Sequence, residues 1–279
     1  MRILTADRIA ETVKRLCIRA NRELPEPVKQ RIRECRRNEP WPLAQGVLDT
    51  IIDNFELAGA EGLPICQDTG AVWVLLEIGF EAHIEGDVYE AVHEGVRQGY
   101  REGYFRNSMV RDPLRRVNTG DNTPAMITLE FAPGDRVVVT VAPKGFGSEN
   151  MSRIRMLQPA DGIEGLVDFV VAAVEEAGPN PCPPIVAGVG IGGTFDKAAL
   201  LAKKALLRPL GRPNQDPFYE GLEKRLLEAL NRLGIGPQGF GGRTTALAVA
   251  IETMATHIAA LPCAVNINCH VNRHAQESL

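Results

Sequence analysis

The stretch Ala125-Met126-Ile127-Thr128-Leu129-Glu130-Phe131-Ala132-Pro133-Gly134-Asp135-Arg136-Val137-Val138-Val139-Thr140-Val141-Ala142 decides the class of fold. Two apolar, β-branched runs, 125–131 and 136–142, flank a Pro-Gly-Asp turn, a pattern that predicts two strands joined as a hairpin. A hairpin is antiparallel and does not belong to a regular βαβ winding. Working outward, the spacing of other elements is equally uneven. Residues 1–60 read as a helical region: Thr5 can cap a helix with Ile9, Val13, Leu16, Cys17 and Ala20 on one face, Val28, Ile32 and Cys35 begin a second stripe, and Trp41 to Leu57 reads as a third helix. Ala71 to Ile78 predicts a strand, Asp87 to Tyr100 a helix, and 106–123 a long polar loop. Ile163 to Ala177 predicts a helix, Ile185 to Ile191 a buried strand, followed by a helix through Lys203. Asp216 and Pro217 open a further helix that Gly234 stops, and 246–268 reads as strand and turn. The expectation is an α+β fold: a helical N-terminal region followed by mixed or antiparallel sheets with packed helices, in a single domain over 1–279.

The totals exclude several classes. Hydrophobic content is 44% and charged content 24%, those of an ordinary globular chain. A net charge of −4 gives no basic footprint for nucleic acid. No stretch approaches the ~20 apolar residues of a membrane span. The opening Met1-Arg2-Ile3-Leu4-Thr5-Ala6 lacks the apolar core of a signal peptide. A cytoplasmic location is expected, where thiols stay reduced and the six cysteines need another explanation than disulfides.

Cys17, Cys35 and Cys263 sit on apolar segments, where cysteine acts as a small hydrophobe. Cys66, Cys182 and Cys269 instead sit in turns, beside Pro64 and Asp68, between Pro181 and Pro183, and beside Asn268 and His270. Turns can aim three thiolates at one centre, although no CxxC spacing marks a zinc or ferredoxin site. Unrelated loop cysteines, or one catalytic thiol, fit the same pattern. If the three do share a cluster, the count is informative: a cubane usually takes four thiolates, so three leave one iron open for Lewis-acid chemistry.

Six segments, in order, are similar to the class I iron–sulfur fumarate hydratase and L-tartrate dehydratase family. They are Pro64-Ile65-Cys66-Gln67-Asp68-Thr69-Gly70, Arg106-Asn107-Ser108, Asn118-Thr119-Gly120-Asp121-Asn122-Thr123-Pro124, Lys144-Gly145-Phe146-Gly147-Ser148-Glu149-Asn150, Gly190-Ile191-Gly192-Gly193-Thr194 and Asn268-Cys269-His270-Val271-Asn272-Arg273-His274. The resemblance covers nearly the whole chain and is to the separate α subunit. It implies a [4Fe–4S] cluster with one open iron, held by Cys66, Cys182 and Cys269, and a β-subunit partner, in a dimer of αβ pairs. It implies that Gln67 and Asp68 contact substrate, that Asp68 takes part in proton transfer, and that Arg106 binds a substrate carboxylate. It further implies that backbone N–H groups at Gly145 and Gly147 approach an anion, that His257 reaches a neighbouring subunit as a catalytic group, and that His270 and His274 support the last ligand. The implied reaction is hydration of fumarate to (S)-malate, a pair of the tricarboxylic acid cycle, with dehydration of L-tartrate as the alternative within the class. A redox or iron-sensing protein is the alternative outside it, and the missing fourth cysteine argues against that. Two departures stand out: Phe146 lies where many relatives carry glycine, and Pro183 follows Cys182 directly.

Gly188-Val189-Gly190-Ile191-Gly192-Gly193 also fits a GxGxxG dinucleotide fingerprint. Without a regular βαβ context and an acidic residue about 20 positions on, it is read as unrelated to nucleotide.

Overall fold

A computed structural model describes residues 2–279. Its elements run β1 (Arg2–Thr5), α1 (Ala6–Arg22), α2 (Glu26–Asn38), α3 (Pro42–Glu61), β2 (Ala71–Gly79), β3 (Ala82–Glu85), α4 (Val88–Glu102), β4 (Met126–Ala132), β5 (Val137–Lys144), the single turn α5 (Phe146–Glu149), β6 (Arg153–Leu157), α6 (Gly162–Ala177), β7 (Ile185–Gly193), α7 (Phe195–Ala205), α8 (Pro217–Arg232), β8 (Ala246–Thr256), β9 (Leu261–Asn268) and β10 (Ala275–Ser278). Helices and mixed sheets confirm the α+β class. Among the described residues no helix is long and apolar enough to cross a membrane.

The chain forms two compact units. The first comprises residues up to Pro25, Asn54–Phe146 and Arg273–Leu279, and its main sheet has the order β10-β5-β2-β4. The expected hairpin is overturned here. β4 and β5 do not pair; β2 lies between them, parallel to β4 and antiparallel to β5. The Pro-Gly-Asp turn wraps the end of β2, and Gly79 and Glu81 donate to the carbonyls of Arg136 and Gly134. The reason is in β2 itself. Nearly every residue of Ala71–Gly79 is buried, a strand that needs neighbours on both edges and cover on both faces. β4, by contrast, alternates exposed and half-buried positions and takes the edge. Helix α1 packs on the sheet and against α4, burying Ile9, Val13, Leu16 and Ala20 in the same core as Val72, Val74 and Val139. Cys17 belongs to that core, and its Cβ fills the space that a side chain at Gly99 of α4 would need. β1 is a short strand paired with β3, where the sequence predicted only a helix start. Thr5 stands at the N-cap of α1 but makes no side-chain cap bond.

The second unit comprises Glu26–Asp53 and Gly147–Asn272, with a sheet ordered β6-β9-β7-β8. Side chains of β7 alternate: Ile185, Ala187, Val189 and Ile191 enter a core with α6 and α8, built from Leu166, Val170, Val174, Leu222, Leu226 and Leu230. The opposite face of β7 carries Gly188 and Gly190. A Cβ on either would strike the α7 main chain, at the Ala202 and Ala198 carbonyls. The GxGxxG pattern is thus a packing surface for α7. Asp216 caps α8 as expected, accepting from the Phe218 N–H at 2.9 Å.

Candidate active site

In the first unit the Cys66–Gly70 turn leads into β2, and four of its neighbouring carbonyls are held by side chains from separate elements. Asn54 Nδ2 donates to the Ile65 carbonyl at 2.9 Å, and the Tyr100 hydroxyl to the carbonyls of Thr69 and Gly70 at 2.5 and 3.1 Å. Asn122 Nδ2 also donates to Gly70, at 3.1 Å, and Arg273 Nη2 to Asp68. Thr69 Oγ1 returns a bond to the Arg106 carbonyl at 3.0 Å. The turn is therefore fixed before any ligand arrives, as a preorganised site requires.

The fixed turn directs the Asp68 carboxylate. Its Oδ1 accepts from Gly70 N–H at 3.0 Å and lies 3.5 Å from Arg106 Nη2; its Oδ2 accepts from Phe146 N–H at 2.9 Å. A Cβ built at Gly145 would sit 3.2 Å from the same Oδ2, so Gly145 keeps the approach open. Gln67 is exposed, with its Oε1 3.7 Å from Cys66 Sγ. Arg106 is exposed too, and its Nε donates to Ser108 Oγ at 3.2 Å. The first unit thus gathers Cys66, Gln67, Asp68, Arg106 and Gly145. The stretch Phe146–Glu149 is one helical turn whose first N–H points at a carboxylate, the favourable polarity for a helix start.

In the second unit Cys182 is exposed and takes a positive φ of 55°. Such a conformation costs a non-glycine residue of order 1 kcal/mol and concentrates at functional sites. His270 Nδ1 lies 3.0 Å from the Cys182 carbonyl and 3.3 Å from Gln238 Nε2, so the residue after Cys269 braces the turn that carries Cys182. A Cβ at Gly147 would lie 3.7 Å from the Asn180 carbonyl in that same turn. Asn268 Nδ2 donates to Asn272 Oδ1 at 2.6 Å and anchors the other side of Cys269. His257 stands apart, exposed in the turn between β8 and β9, where its Nδ1 accepts from Ala259 N–H at 3.2 Å. It lines an apolar cavity of about 400 Å³ with Ile163, Phe218 and Ile258. His274, in the first unit, has its Nδ1 shut from solvent, and burial pushes its imidazole down to about 4.

The cysteines divide as their sequence settings suggest. None is in a disulfide. Cys17, Cys35 and Cys263 are buried, and burial raises all three thiols, Cys263 to about 12. A thiol held protonated is a poor metal ligand. Cys66 and Cys269 are half-buried and Cys182 is exposed, so these three have the access that ligation requires. Among the described residues no three His, Cys, Asp or Glu side chains form a single-ion site. A cubane differs in kind, because each thiolate binds its own iron and the sulfurs need not converge on one point. Taken one by one, the three accessible thiols have the chemistry of iron–sulfur ligands.

Several residues that build the site escaped sequence reasoning. Tyr100 and Asn54 fall inside stretches that read simply as helices. Asn122 and Arg273 lie inside segments that carry the resemblance, which was the one available signal.

Residues 10–278 match the family model described as fumarate hydratase (Fumerase), and the chain belongs to that family of hydro-lyases. Within it the chain is similar to a Methanocaldococcus jannaschii protein named, provisionally, as an L(+)-tartrate dehydratase subunit alpha, with 43% identity over 276 residues and 96% of each chain covered. It is also similar to the L(+)-tartrate dehydratase subunits alpha of Escherichia coli K12 and Shigella boydii, each 31% identical over 271 residues, covering 96% of this chain and 89% of the relative.

Proposed function

We propose that this chain is the α subunit of an iron–sulfur hydro-lyase that converts L-tartrate to oxaloacetate, completed by a β subunit. The relatives carry the name tartrate dehydratase, which favours this substrate over the fumarate and (S)-malate expected from sequence; on that substrate the chain would not serve the tricarboxylic acid cycle. Their description as alpha subunits supports the β partner. The observation that carries the reading is Asp68: a carboxylate two residues from a ligand candidate, held at once by Arg106 and the Phe146 N–H.

Cys66, Cys182 and Cys269 would hold a [4Fe–4S] cluster. When bound, it would supply an open iron as a Lewis acid for the leaving hydroxyl. Arg106 is exposed enough to exchange its 3.5 Å contact with Asp68 for a substrate carboxylate, which a planar guanidinium receives in two parallel hydrogen bonds. Gln67, exposed on the same turn, offers donor and acceptor to a substrate hydroxyl. Asp68, kept in place by Phe146 N–H, exchanges a proton with that hydroxyl as it leaves or returns. The hydroxyl would leave one carbon of tartrate as water, protonated by Asp68, while a base from the β subunit takes the proton from the neighbouring carbon; the resulting enol tautomerises to oxaloacetate.

The test is anaerobic reconstitution of the αβ pair with iron and sulfide, followed by assays with L-tartrate, fumarate and (S)-malate. The expected result is a cubane spectrum and a kcat/KM for tartrate at least tenfold above that for malate. Faster turnover of malate returns the chain to the fumarate hydratase reaction. A cluster that loads but acts on none of the three sinks the hydro-lyase reading.

A further inference from the structure

We propose that Arg273 is a positioning residue that sets the Asp68 carboxylate, by clamping the Cys66–Gly70 turn to the segment that ends β5. The functional part of the inference rests on the hydro-lyase reading above; the clamp itself does not.

Arg273 is 3% exposed, so its guanidinium is almost wholly removed from water. Removing a charge from water costs several kcal/mol unless it is well partnered. Arg273 directs two donors at two main-chain carbonyls. Nη2 donates to Asp68 and Nε donates to Pro143 at 3.4 Å, while Nη1 is closed off from solvent and makes no hydrogen bond. A buried cation with one donor unmatched is not the arrangement that stability alone selects.

The two carbonyls explain the arrangement. β2 and β5 pair antiparallel from Ile78↔Val137 to Ala71↔Lys144, and there the ladder ends. Asp68 and Phe146 both lie just beyond that last pair. Beyond it, no backbone ladder keeps the two segments in register, yet the 2.9 Å bond from Phe146 N–H to Asp68 Oδ2 depends on that register. Arg273 stands two residues before β10, whose first pair, Ala275↔Val141, places it along the other edge of β5. From there one rigid fork spans Pro143 on one segment and Asp68 on the other. A lysine has a single ammonium and cannot reproduce a two-carbonyl fork. The residue acts through Asp68 and needs no contact with substrate.

The experiment compares wild type with Arg273→Lys and Arg273→Gln in the α chain without cluster, by amide NMR. The Phe146 N–H, hydrogen-bonded to a charged acceptor, should move upfield in both variants, while Val74 and Val139 amides in the same sheet hold their positions. In the wild-type chain the Arg273 Nε proton should be visible and slow to exchange. A Phe146 amide that stays in place, or one that shifts only along with Val74 and Val139, overturns the proposal. Fast exchange of the Nε proton overturns it without any variant. In the reconstituted pair, Arg273→Lys should lower kcat about 10²-fold, the scale of a misplaced catalytic group, and should have no further effect on kcat when Asp68→Asn is already present. Additive losses would mark Arg273 as merely structural. If the wild-type pair turns over no dicarboxylate, the hydro-lyase reading fails while the NMR arm still decides the clamp.

Discussion

Gly188-Val189-Gly190-Ile191-Gly192-Gly193 and Lys144-Gly145-Phe146-Gly147-Ser148 look alike on paper. Each is glycine-rich, each leaves or ends a strand, and each enters a helix. The difference lies in what a side chain would meet. At Gly188 and Gly190 a Cβ would collide with the backbone of α7, which cannot move away. At Gly145 it would meet the end of the Asp68 side chain, 3.2 Å off. The first segment is glycine so that a helix can lie on a strand. The second is glycine so that a carboxylate can reach a backbone N–H. Motif spacing alone ranks the first as the ligand site; the neighbours reverse that order.

The largest expected effect breaks the second segment's purpose and leaves its backbone alone. Asp68→Asn keeps the shape of the side chain and removes its charge and basicity. In the reconstituted pair kcat should fall about 10³-fold, within the range for loss of a general acid–base group. Thermal unfolding should move little, because the half-buried carboxylate contributes little folding energy. A loss below tenfold would remove Asp68 from the chemistry and with it the contrast between the two segments.

The first segment should answer in the opposite currency. Gly190→Val forces a branched side chain against the Ala198 carbonyl and Leu201. Overpacking of this kind costs about 1–3 kcal/mol and can exceed it, and the rigid backbone neighbour argues for the upper end. Chemical denaturation should show a lower midpoint, and any activity that survives should fall in proportion to folded protein. A Gly190→Val chain of wild-type stability would show that α7 does not need the glycine face.

How much of this was legible depends on whether a contact is local. Asp216 and Pro217 announce the start of α8 through their own neighbours, and the structure agrees. The pair of runs around Pro133-Gly134-Asp135 was legible as two strands, but the hairpin pairing that their turn suggests is not the one formed. Their arrangement depends on β2, some 50 positions upstream, whose continuous apolar run demands the central place. The division of the cysteines was readable from periodicity, since Cys17 and Cys35 fall on helix stripes while Cys66 and Cys182 fall between proline and polar residues. Tyr100 and Arg273 were not readable as site residues, because what they bind is main-chain carbonyl, which every residue carries.

The smallest effect is the sharpest test of the contrast. Gly145→Ala adds one methyl group 3.2 Å from Asp68 Oδ2, near a side chain end that can rotate away. Stability should change by less than about 0.5 kcal/mol, the usual range for a substitution that meets no rigid neighbour. The carboxylate, however, must move by a few tenths of an ångström and loosen its bond from Phe146 N–H. That loss should appear as a drop in kcat of about tenfold, or ~1.4 kcal/mol in the barrier, with the melting temperature unchanged. Gly188→Ala is the matched control: the same added methyl meets the Ala202 carbonyl and should lower stability with kcat per folded molecule intact. If both alanines destabilise and neither alters kcat, the two segments are alike after all, and Gly145 is as structural as Gly188. If Gly145→Ala slows turnover without touching stability, and adds nothing to the loss when Asp68→Asn is already present, the methyl acted through Asp68. A substitution too small to disturb the fold would then have identified the carboxylate on which the chemistry turns.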